Sequence, residues 1–204
     1  MIMKKKELIN ELTIDEKIAL FGGNGPWHFR GITRFNIPDI KVSDGPHGVR
    51  VFKDTSFKDE RIMEKTSLCP SLSTLSNSFN KEVAFKIGKI IGEECNHYGV
   101  RILLAPGTNL KRNPLGGRNF EYFSEDPILS GFMASNYING VQSTGVGTSL
   151  KHFILNEQET LRRFTSSEAS NKIIRELYAK PFEMAIKDAN PYTIMCSYNK
   201  VNGV

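Results

Sequence analysis

The sequence has few cysteines, no long apolar run and no membrane or export signal. Cys69, Cys95 and Cys196 are widely spaced and odd in number, so they form neither a disulfide framework nor a Cys-x-x-Cys metal pair. No stretch approaches the roughly eighteen apolar residues of a membrane span. The polar segment 7–11 follows the lysine triplet at 4–6, where a signal peptide needs its apolar core. These absences predict a cytoplasmic chain with reduced, buried cysteines and no membrane partner.

An excess of charge and the usual cofactor motifs are also lacking. The chain has 27 Lys and Arg against 22 Asp and Glu, a formal charge of +5, and its aromatic residues do not interleave with the cations. Nucleic-acid binding is therefore not expected. The four histidines lack metal-ligand spacing, which disfavours a metal site. Gly145-Val146-Gly147 stands alone without a phosphate or dinucleotide motif, so no cofactor is predicted.

What the sequence does contain is an alternation of strand and helix patterns. The 204 residues, with 39% apolar and 24% charged side chains, are enough for one globular domain or two. Strands are predicted at about 40–43, 100–105, 147–153 and 192–197, with a weaker one at 66–69. Because helices separate them, we expect an α/β fold with a parallel sheet. A complete (β/α)8 barrel needs about 250 residues, so a barrel-type chain of this length would lack its last strands.

Capping residues indicate where the helices begin and end. A short helix at 4–12 precedes a capping box formed by Thr13 and Glu16. Further helices are predicted from Asn80 to near Gly99, from Asp126-Pro127 to Gly140, and from Ser166 or Ser167 to near Asn190 with a kink or restart at Pro181.

Polar residues follow the predicted strands, at Asp44, at Lys151-His152 and at Ser197-Tyr198-Asn199. The carboxyl ends of parallel strands meet at one edge, where ligands bind. Each residue also has a structural interpretation: Asp44 precedes Gly-Pro and can be a turn residue, and His152 can be a satisfied structural histidine. Lys151 and His152 are consecutive, so on a regular strand they would point to opposite faces.

The segment 109–121 places Arg112, Arg118 and Glu121 around glycines in a loop after a strand. A guanidinium group suits two-point recognition of vicinal hydroxyls or of a carboxylate. The alternative is that Arg118 and Glu121 pair with each other to hold the loop, because buried charges are usually paired.

Taken together, these segments resemble a known family, the N-terminal domain of glycoside hydrolase family 3. The matching blocks are TIDEK at 13–17, SDGPHGVR at 43–50, NLKRNPLGGRNFE at 109–121 with SEDP at 124–127, KHF at 151–153 and MCSYN at 195–199. They occur in the order found in the family and extend over nearly the whole chain, so residues 1–204 are interpreted as one such domain. The sequence looks most similar to bacterial β-glucosidases.

The resemblance implies a barrel-type domain whose mouth binds the terminal sugar of a β-glucoside. The residues at matching positions form a clamp for its hydroxyl groups: Asp44, Arg50, Arg112, Lys151, His152, Met195 and Tyr198. Asp44 and Arg50 would bond the hydroxyls remote from the anomeric carbon, whereas Tyr198 would lie near that carbon. In this family the Lys-His pair is associated with a non-proline cis peptide, which would let both side chains reach one ligand.

The family hydrolyses glycosides with retention, by a double displacement that needs two carboxyl groups about 5–5.5 Å apart. Its nucleophile is an Asp in a Ser-Asp-Trp-like block on a later strand, and this chain contains no such block. Asp44, Glu121 and Glu159 are possible substitutes, but Asp44 matches a hydroxyl binder and Glu121 has Arg118 as a partner. The nucleophile and the acid/base are therefore expected beyond Val204, and the 204 residues are expected to be a truncated domain that is inactive alone.

Two further expectations concern the alternatives. The branch of the family that acts on N-acetylglucosaminides is disfavoured, because segment 154–160 departs from its motif. The alternative function is a catalytically inactive sugar-binding or regulatory module that kept the hydroxyl clamp. In either case the remaining part of the barrel and the second domain could be encoded separately.

Overall fold

A five-stranded sheet forms the centre of the computed structural model, which describes residues 5–53 and 63–204. The strands are β1 (His28–Phe29), β2 (Ile40–Asp44), β3 (Ile102–Leu104), β4 (Gly147–Phe153), β5 (Ser166–Ser167), β6 (Thr193–Cys196) and β7 (Lys200–Val201). In the sheet, β2, β3, β4 and β6 are parallel neighbours in that order, and β1 pairs antiparallel with β2. β5 and β7 form a separate parallel pair. The α/β fold with a parallel-rich sheet is confirmed.

The first helices precede the sheet, and the later ones connect its parallel strands. In chain order the helices are α1 (Lys5–Glu11), α2 (Ile14–Ala19), α3 (Leu72–Ser76), α4 (Lys81–His97), α5 (Pro127–Gln142), α6 (Asn171–Ile173) and α7 (Lys180–Ala189). The capping box of Thr13 and Glu16 is present, and the Asn80 and Asp126 side chains accept from the first turns of α4 and α5. The prediction for the first helix included Lys4, which lies outside the described residues. No helix in the described ranges has the length and apolar character to cross a membrane.

The core lies between the sheet and the helices α4, α5 and α7. Leu103 of β3 and Leu150 of β4 point into it and are fully buried. They contact a layer to which α4 contributes Ile91, α5 contributes Met133 and α7 contributes Phe182, all inaccessible to solvent. Burying one such side chain contributes about 1.5–3 kcal/mol. This apolar layer fixes the strands, and therefore the polar residues at their carboxyl ends.

The prediction of a weaker strand at 66–69 is wrong. That segment is held by isolated bonds instead of a ladder: the Ser67 amide donates to Glu94 Oε1 at 2.8 Å, and the Cys69 amide donates to the His47 carbonyl at 2.9 Å. One of these acceptors is a helix side chain and the other is in a turn. The segment therefore has no neighbouring strand with which to continue a sheet.

The predicted start of the last long helix is also wrong. Ser166–Ser167 forms β5, and Ser170 is the residue that caps α6, through an Oγ that accepts from the Ile173 amide at 3.4 Å. A π-helical turn, Ile174–Tyr178, follows and leads into α7, with Pro181 in its first turn. The restart at Pro181 and the end at Asn190 agree with the sequence prediction.

Gly140 was predicted to end α5, whereas α5 continues to Gln142. Its actual role is to let α5 approach α4. A Cβ atom at Gly140 would lie 2.1 Å from the Phe85 carbonyl oxygen, and one at Gly88 would lie 2.2 Å from the Tyr137 carbonyl oxygen. The two helices therefore cross with backbone against backbone at a glycine from each.

Gly140→Ala is expected to lower the free energy of unfolding by about 1–3 kcal/mol, the usual range for an overpacked core. The roughly 1 kcal/mol gained in helix propensity does not offset a methyl group pressed against backbone. Urea denaturation measures the change. Gly22→Ala is the control, because its added Cβ would lie 3.5 Å from the Ala19 carbonyl oxygen, an ordinary contact, and should cost little. Equal losses in the two variants would contradict the prediction.

Candidate functional site

The carboxyl ends of the parallel strands bring polar side chains to one edge of the sheet. Asp44 is the last residue of β2, Lys151 and His152 lie at the end of β4, and Met195 lies in β6. Tyr198 follows two residues after β6. Because the strands are parallel neighbours, these five residues face a common space.

That space is a cavity of about 450 Å³. Its lining consists of Asp44, Leu104, Arg118, Lys151, His152, Arg162, Met195, Cys196 and Tyr198. A smaller cavity of about 240 Å³ adjoins it, shares Asp44 and Arg118 with it, and is also lined by His47, Arg50 and Phe120. Small-molecule sites have volumes of roughly 300–1,000 Å³. The larger cavity therefore has the size of a site for one small ligand.

A buried ammonium group organises the charges around the cavity. Lys151 Nζ lies 3.2 Å from Asp44 Oδ1 and 3.1 Å from Glu121 Oε2, and the Lys151 and Glu121 side chains are only 1% and 2% exposed. Arg118 contacts the other carboxylate oxygen of Glu121. Asp44 keeps 31% of its side chain exposed, so it is the carboxylate of this cluster that a ligand can reach.

His152 is held at its backbone by Asn109. The Asn109 side chain accepts from the His152 amide at 2.8 Å and donates to the His152 carbonyl at 3.0 Å. The Lys151–His152 peptide is cis, as the resemblance implied. Asn109 is itself buried, in the loop after β3. The Asn109 side chain, in the loop after β3, therefore positions the backbone at the end of β4.

The His152 imidazole is neutral and keeps one nitrogen available. Burial, together with the positive charges of Arg118, Lys151 and Arg162, lowers the pKa of His152 to about 2. Its Nδ1 lies 3.0 Å from the Tyr122 hydroxyl, and its Nε2 has no hydrogen-bond partner among the described residues. Since His152 lines the cavity, Nε2 is a buried polar atom beside the ligand space that no described residue satisfies.

Glu157 lies next to the same asparagine, Asn109. Burial raises the pKa of Glu157 to about 7, although hydrogen bonds from the Leu110 amide and the Asn109 side chain and the charge of Arg112 act in the opposite direction. The carboxyl group of Glu157 therefore titrates near neutral pH, in contact with the residue that positions His152.

Tyr198 is exposed by 57%, yet cations hold its ring. The guanidinium carbon of Arg162 lies 4.8 Å from the ring centroid, and that of Arg163 lies 5.3 Å from it. Arg162 also donates to Glu159 Oε2 at 2.7 Å. The loop between β4 and β5 thus orients the tyrosine that follows β6.

The structure brings most, but not all, of the predicted clamp together. Asp44, Lys151, His152, Met195 and Tyr198 line the larger cavity. Arg50 lines the smaller cavity, with its guanidinium carbon 5.6 Å from the centroid of the Phe52 ring. Arg112 lines neither cavity in the described part of the chain: its side chain is exposed, and its charge acts on Glu157. Its place in the clamp stays a prediction without support from the geometry.

The segment that ends at Val204 lies outside both cavities. Val204 is 97% exposed, and it closes a tight turn with Val201. The Val204 amide donates to the Val201 carbonyl at 3.1 Å, and the Val201 amide donates to the Val204 carbonyl at 2.9 Å. Neither residue is part of either cavity lining. The expectation that the nucleophile and the acid/base lie beyond Val204 concerns residues that are not in this sequence, so it stays a prediction.

Two arginines that the predicted clamp leaves out lie at the cavities. The sequence leaves Arg118 open between ligand recognition and pairing with Glu121, and the structure shows that it pairs with Glu121 and still lines both cavities. Pairing and ligand binding are compatible because a guanidinium group has five N–H donors. Arg162 carried no motif, and only the fold brings it to Tyr198.

The lining combines groups that accept hydrogen bonds with groups that donate them. Asp44 accepts, Lys151 and the arginines donate, and Met195 and Leu104 add apolar surface. Such a set suits a small ligand that carries several hydroxyl groups on an apolar ring. In residues 5–53 and 63–204, no three His, Cys, Asp or Glu side chains converge as ligands for a metal ion.

Comparison with known proteins identifies what this chain is similar to. The family model described as glycosyl hydrolase family 3 N terminal domain matches residues 6–204. Among solved structures, β-glucosidase 3B from Thermotoga neapolitana in complex with α-D-glucose superposes with a TM-score of 0.90 at 39% identity, over 97% of this chain and 30% of that one. The β-glucosidase from Kluyveromyces marxianus in complex with glucose gives 0.93 at 39% identity, over 99% and 24%.

Curated relatives are similar over the same length. The thermostable β-glucosidase B of Acetivibrio thermocellus is 44% identical over 199 residues, which is 97% of this chain and 26% of that protein. An exo-α-(1→6)-L-arabinopyranosidase of Bifidobacterium longum is 46% identical over 198 residues, or 96% and 26%. The chain therefore spans about a quarter of the length of these relatives.

Proposed function

Because this chain belongs to glycoside hydrolase family 3, we propose that it forms the part of a β-glucosidase site that binds the terminal sugar. The observation that carries the proposal is the shared cavity, where Asp44, Lys151 and His152 meet at the ends of parallel strands. Two similar solved structures contain glucose, which supports glucose as the sugar. The cavity residues support the sugar-binding role, and the similar solved structures support glucose as the sugar.

The proposed clamp divides the hydroxyl groups of one ring among complementary partners. Asp44 accepts from hydroxyls remote from the anomeric carbon, with Arg50 at the same end, and Lys151 donates from beneath Asp44. His152 contributes its unpartnered Nε2. Tyr198 lies toward the anomeric carbon, and Met195 contributes apolar contact. To the clamp proposed from sequence, in which Arg112 was the loop arginine, we add Arg118, because it lines both cavities.

For the whole protein we propose hydrolysis of terminal β-D-glucosyl residues with retention of configuration. That reaction needs a nucleophilic carboxylate and a second carboxyl group about 5–5.5 Å away. Asp44 is the carboxylate that lines the larger cavity among the described residues, and it is already bound to Lys151. We therefore propose that these 204 residues bind the sugar, and that parts of the protein beyond Val204 supply the catalytic pair.

The same reasoning applies to the barrel. β6 pairs with β4 along one edge and is the last strand in the order of the sheet. We propose that further strands continue the sheet from β6 toward a (β/α)8 barrel. High similarity to much longer β-glucosidase chains supports this.

Glucose and gluconolactone are expected to bind the 204-residue chain, and Asp44→Asn should weaken that binding by about 10- to 100-fold. A hydrogen bond to a charged group contributes about 1.5–3 kcal/mol, and about 1.4 kcal/mol corresponds to a factor of ten. Calorimetric titration measures the affinities. Asp188→Asn, at an exposed position of α7, is the matched control and should leave binding unchanged.

Two results would contradict the proposal. A folded chain that binds neither ligand at tens of millimolar would exclude the sugar-binding role. Turnover of p-nitrophenyl β-glucoside by the 204 residues alone, abolished in Asp44→Asn, would show that the catalytic carboxylates were assigned to the wrong part of the protein.

A further inference from the structure

The Tyr122 hydroxyl lies at a branch point in a buried hydrogen-bond network behind the cavity. Its oxygen lies 3.0 Å from His152 Nδ1, 3.2 Å from the Asn156 carbonyl and 3.0 Å from the Asn156 side-chain nitrogen. Tyr122, His152 and Asn156 are all buried. A phenol has one proton for these three neighbours, so the direction of each bond is constrained.

Glu159 fixes the direction from one side. It is paired with Arg162 at 2.7 Å, and an ionised carboxylate can only accept hydrogen bonds. Asn156 Nδ2 donates to Glu159 Oε1 at 2.9 Å and to the Tyr122 hydroxyl at 3.0 Å. A flipped amide would place its oxygen against the carboxylate, acceptor against acceptor. The Tyr122 oxygen therefore receives one hydrogen bond from the amide.

The phenol proton then has two possible acceptors. Burial raises the pKa of Tyr122, so the hydroxyl keeps its proton. If it donated to His152 Nδ1, the buried Asn156 carbonyl would lose its donor, and the described part of the chain offers it no other. If it donates to that carbonyl, His152 Nδ1–H can donate to the phenol oxygen. Only the second arrangement gives a hydrogen bond to all three neighbours of the Tyr122 oxygen, which are His152 Nδ1, the Asn156 carbonyl and the Asn156 side-chain nitrogen.

The cavity side of the imidazole favours the same arrangement. Nε2 is buried without a partner among the described residues, and Arg118, Lys151 and Arg162 line the cavity that His152 faces. A lone pair is more stable than an N–H in the field of three cations. The hydrogen bonds at Nδ1 and the positive charges near Nε2 therefore both place the proton on Nδ1.

We propose that Tyr122 is a positioning residue that fixes His152 as the Nδ1–H tautomer, so that Nε2 presents a lone pair to the cavity. Under the proposed function, on which this part rests, Nε2 accepts a hydrogen bond from a sugar hydroxyl. The hydroxyl facing His152 must then donate its proton. Groups that can only accept, such as a fluorine or an ether oxygen, would be disfavoured at that position of the ring.

The test is the tautomer of His152 in the sugar-free protein, read from long-range ¹H–¹⁵N spectra of the labelled 204-residue chain. His152→Gln identifies the signals among those of the four histidines. The expected pattern has a protonated Nδ1 and an unprotonated Nε2. An Nε2–H pattern would overturn the assignment, whether or not the protein binds sugar.

Tyr122→Phe removes the hydroxyl and is expected to replace the single tautomer of His152 by a mixture. Tyr137→Phe is the control: Tyr137 is another buried tyrosine with one hydrogen bond, to the Pro46 carbonyl at 2.8 Å, and its loss should leave the His152 signals in place. Unchanged His152 shifts in Tyr122→Phe would overturn the positioning role. Should that variant fail to fold, the wild-type pattern still decides the tautomer.

Saturation with glucose separates this inference from the proposed function. Binding should shift the Nε2 resonance while Nδ1 stays protonated. If glucose binds and Nε2 becomes protonated, the direction of the hydrogen bond is wrong. If glucose does not bind, the sugar-binding role fails and the tautomer assignment stands on the sugar-free spectra.

Discussion

Lys151→Met is expected to lower the free energy of unfolding by about 3–5 kcal/mol, the usual range when one partner of a buried ion pair is removed. The ammonium group lies 3.2 Å from Asp44 and 3.1 Å from Glu121, and it is almost completely buried. Without it, Asp44 loses its partner and Glu121 keeps only Arg118. Since small proteins are stable by about 5–15 kcal/mol, this single change removes a large fraction of the total.

Urea denaturation with the transition followed by circular dichroism measures the loss. Lys89→Met is the matched control, because Lys89 is exposed and lies 3.8 Å from Glu93, a surface pair that contributes about 0–1 kcal/mol. Adding Glu121→Gln to Lys151→Met should restore part of the stability, because no buried carboxylate is then left short of positive charge. Equal stability of the two single variants would show that the buried cluster is not a stabilising element.

The second large effect is on the pH dependence of stability, where His152 and Glu157 act in opposite directions. The pKa of His152 falls from an ordinary 6.5 to about 2, so between these values only the unfolded chain binds the proton, and stability falls as pH decreases. The pKa of Glu157 rises from 4.5 to about 7, so between these values only the folded chain binds the proton, and stability falls as pH increases.

The two contributions overlap between about pH 4.5 and 6.5 and should nearly cancel in the wild-type chain. Each changes stability by up to about 1.4 kcal/mol per pH unit. Relative to wild type, His152→Gln should therefore lose up to about 3 kcal/mol as pH rises through this window, and Glu157→Gln should gain about as much. Groups that titrate in all three proteins, such as His47, drop out of the comparison.

Urea denaturation at half-unit steps of pH provides the three curves. Relative to the wild-type curve, the free energy of unfolding should fall with rising pH in His152→Gln and rise with rising pH in Glu157→Gln. Three parallel curves would mean that neither group has a different pKa in the folded chain. Slopes of the same sign in both variants would mean that one of the two shifts has been assigned in the wrong direction.

The strands that form the site could be predicted, because each is an apolar run that ends at a polar residue. β4 was predicted with the boundaries it has, and β2 within one residue, since an apolar run there ends at Asp44. The pair β5 and β7 was missed, because Ser166 pairs with Lys200 and neither strand carries an alternating pattern. Such short ladders are set by tertiary contacts between distant segments, which periodicity does not encode.

The site itself was predictable where it depends on strand ends and less so where it depends on loops. The alternation of strands and helices predicts that Asp44 and Lys151 lie at strand ends, and the resemblance implies their role as sugar-binding residues. The choice between Arg112 and Arg118 instead depends on the path of a glycine-rich loop. That path turns Arg118 toward Glu121 and leaves Arg112 at the surface. Arg162 reaches Tyr198 across separate loops, so only a three-dimensional structure could place it.

The lysine at the end of β4 also limits how this scaffold can be re-engineered. It contacts Asp44, which ends β2, and Glu121, which lies in the segment after β3. Transplanting the β4 loop by itself into a foreign barrel would carry a cation into a host without its carboxylates. A graft, a chimera or a loop library built on this chain should therefore move the three segments together, as one cassette.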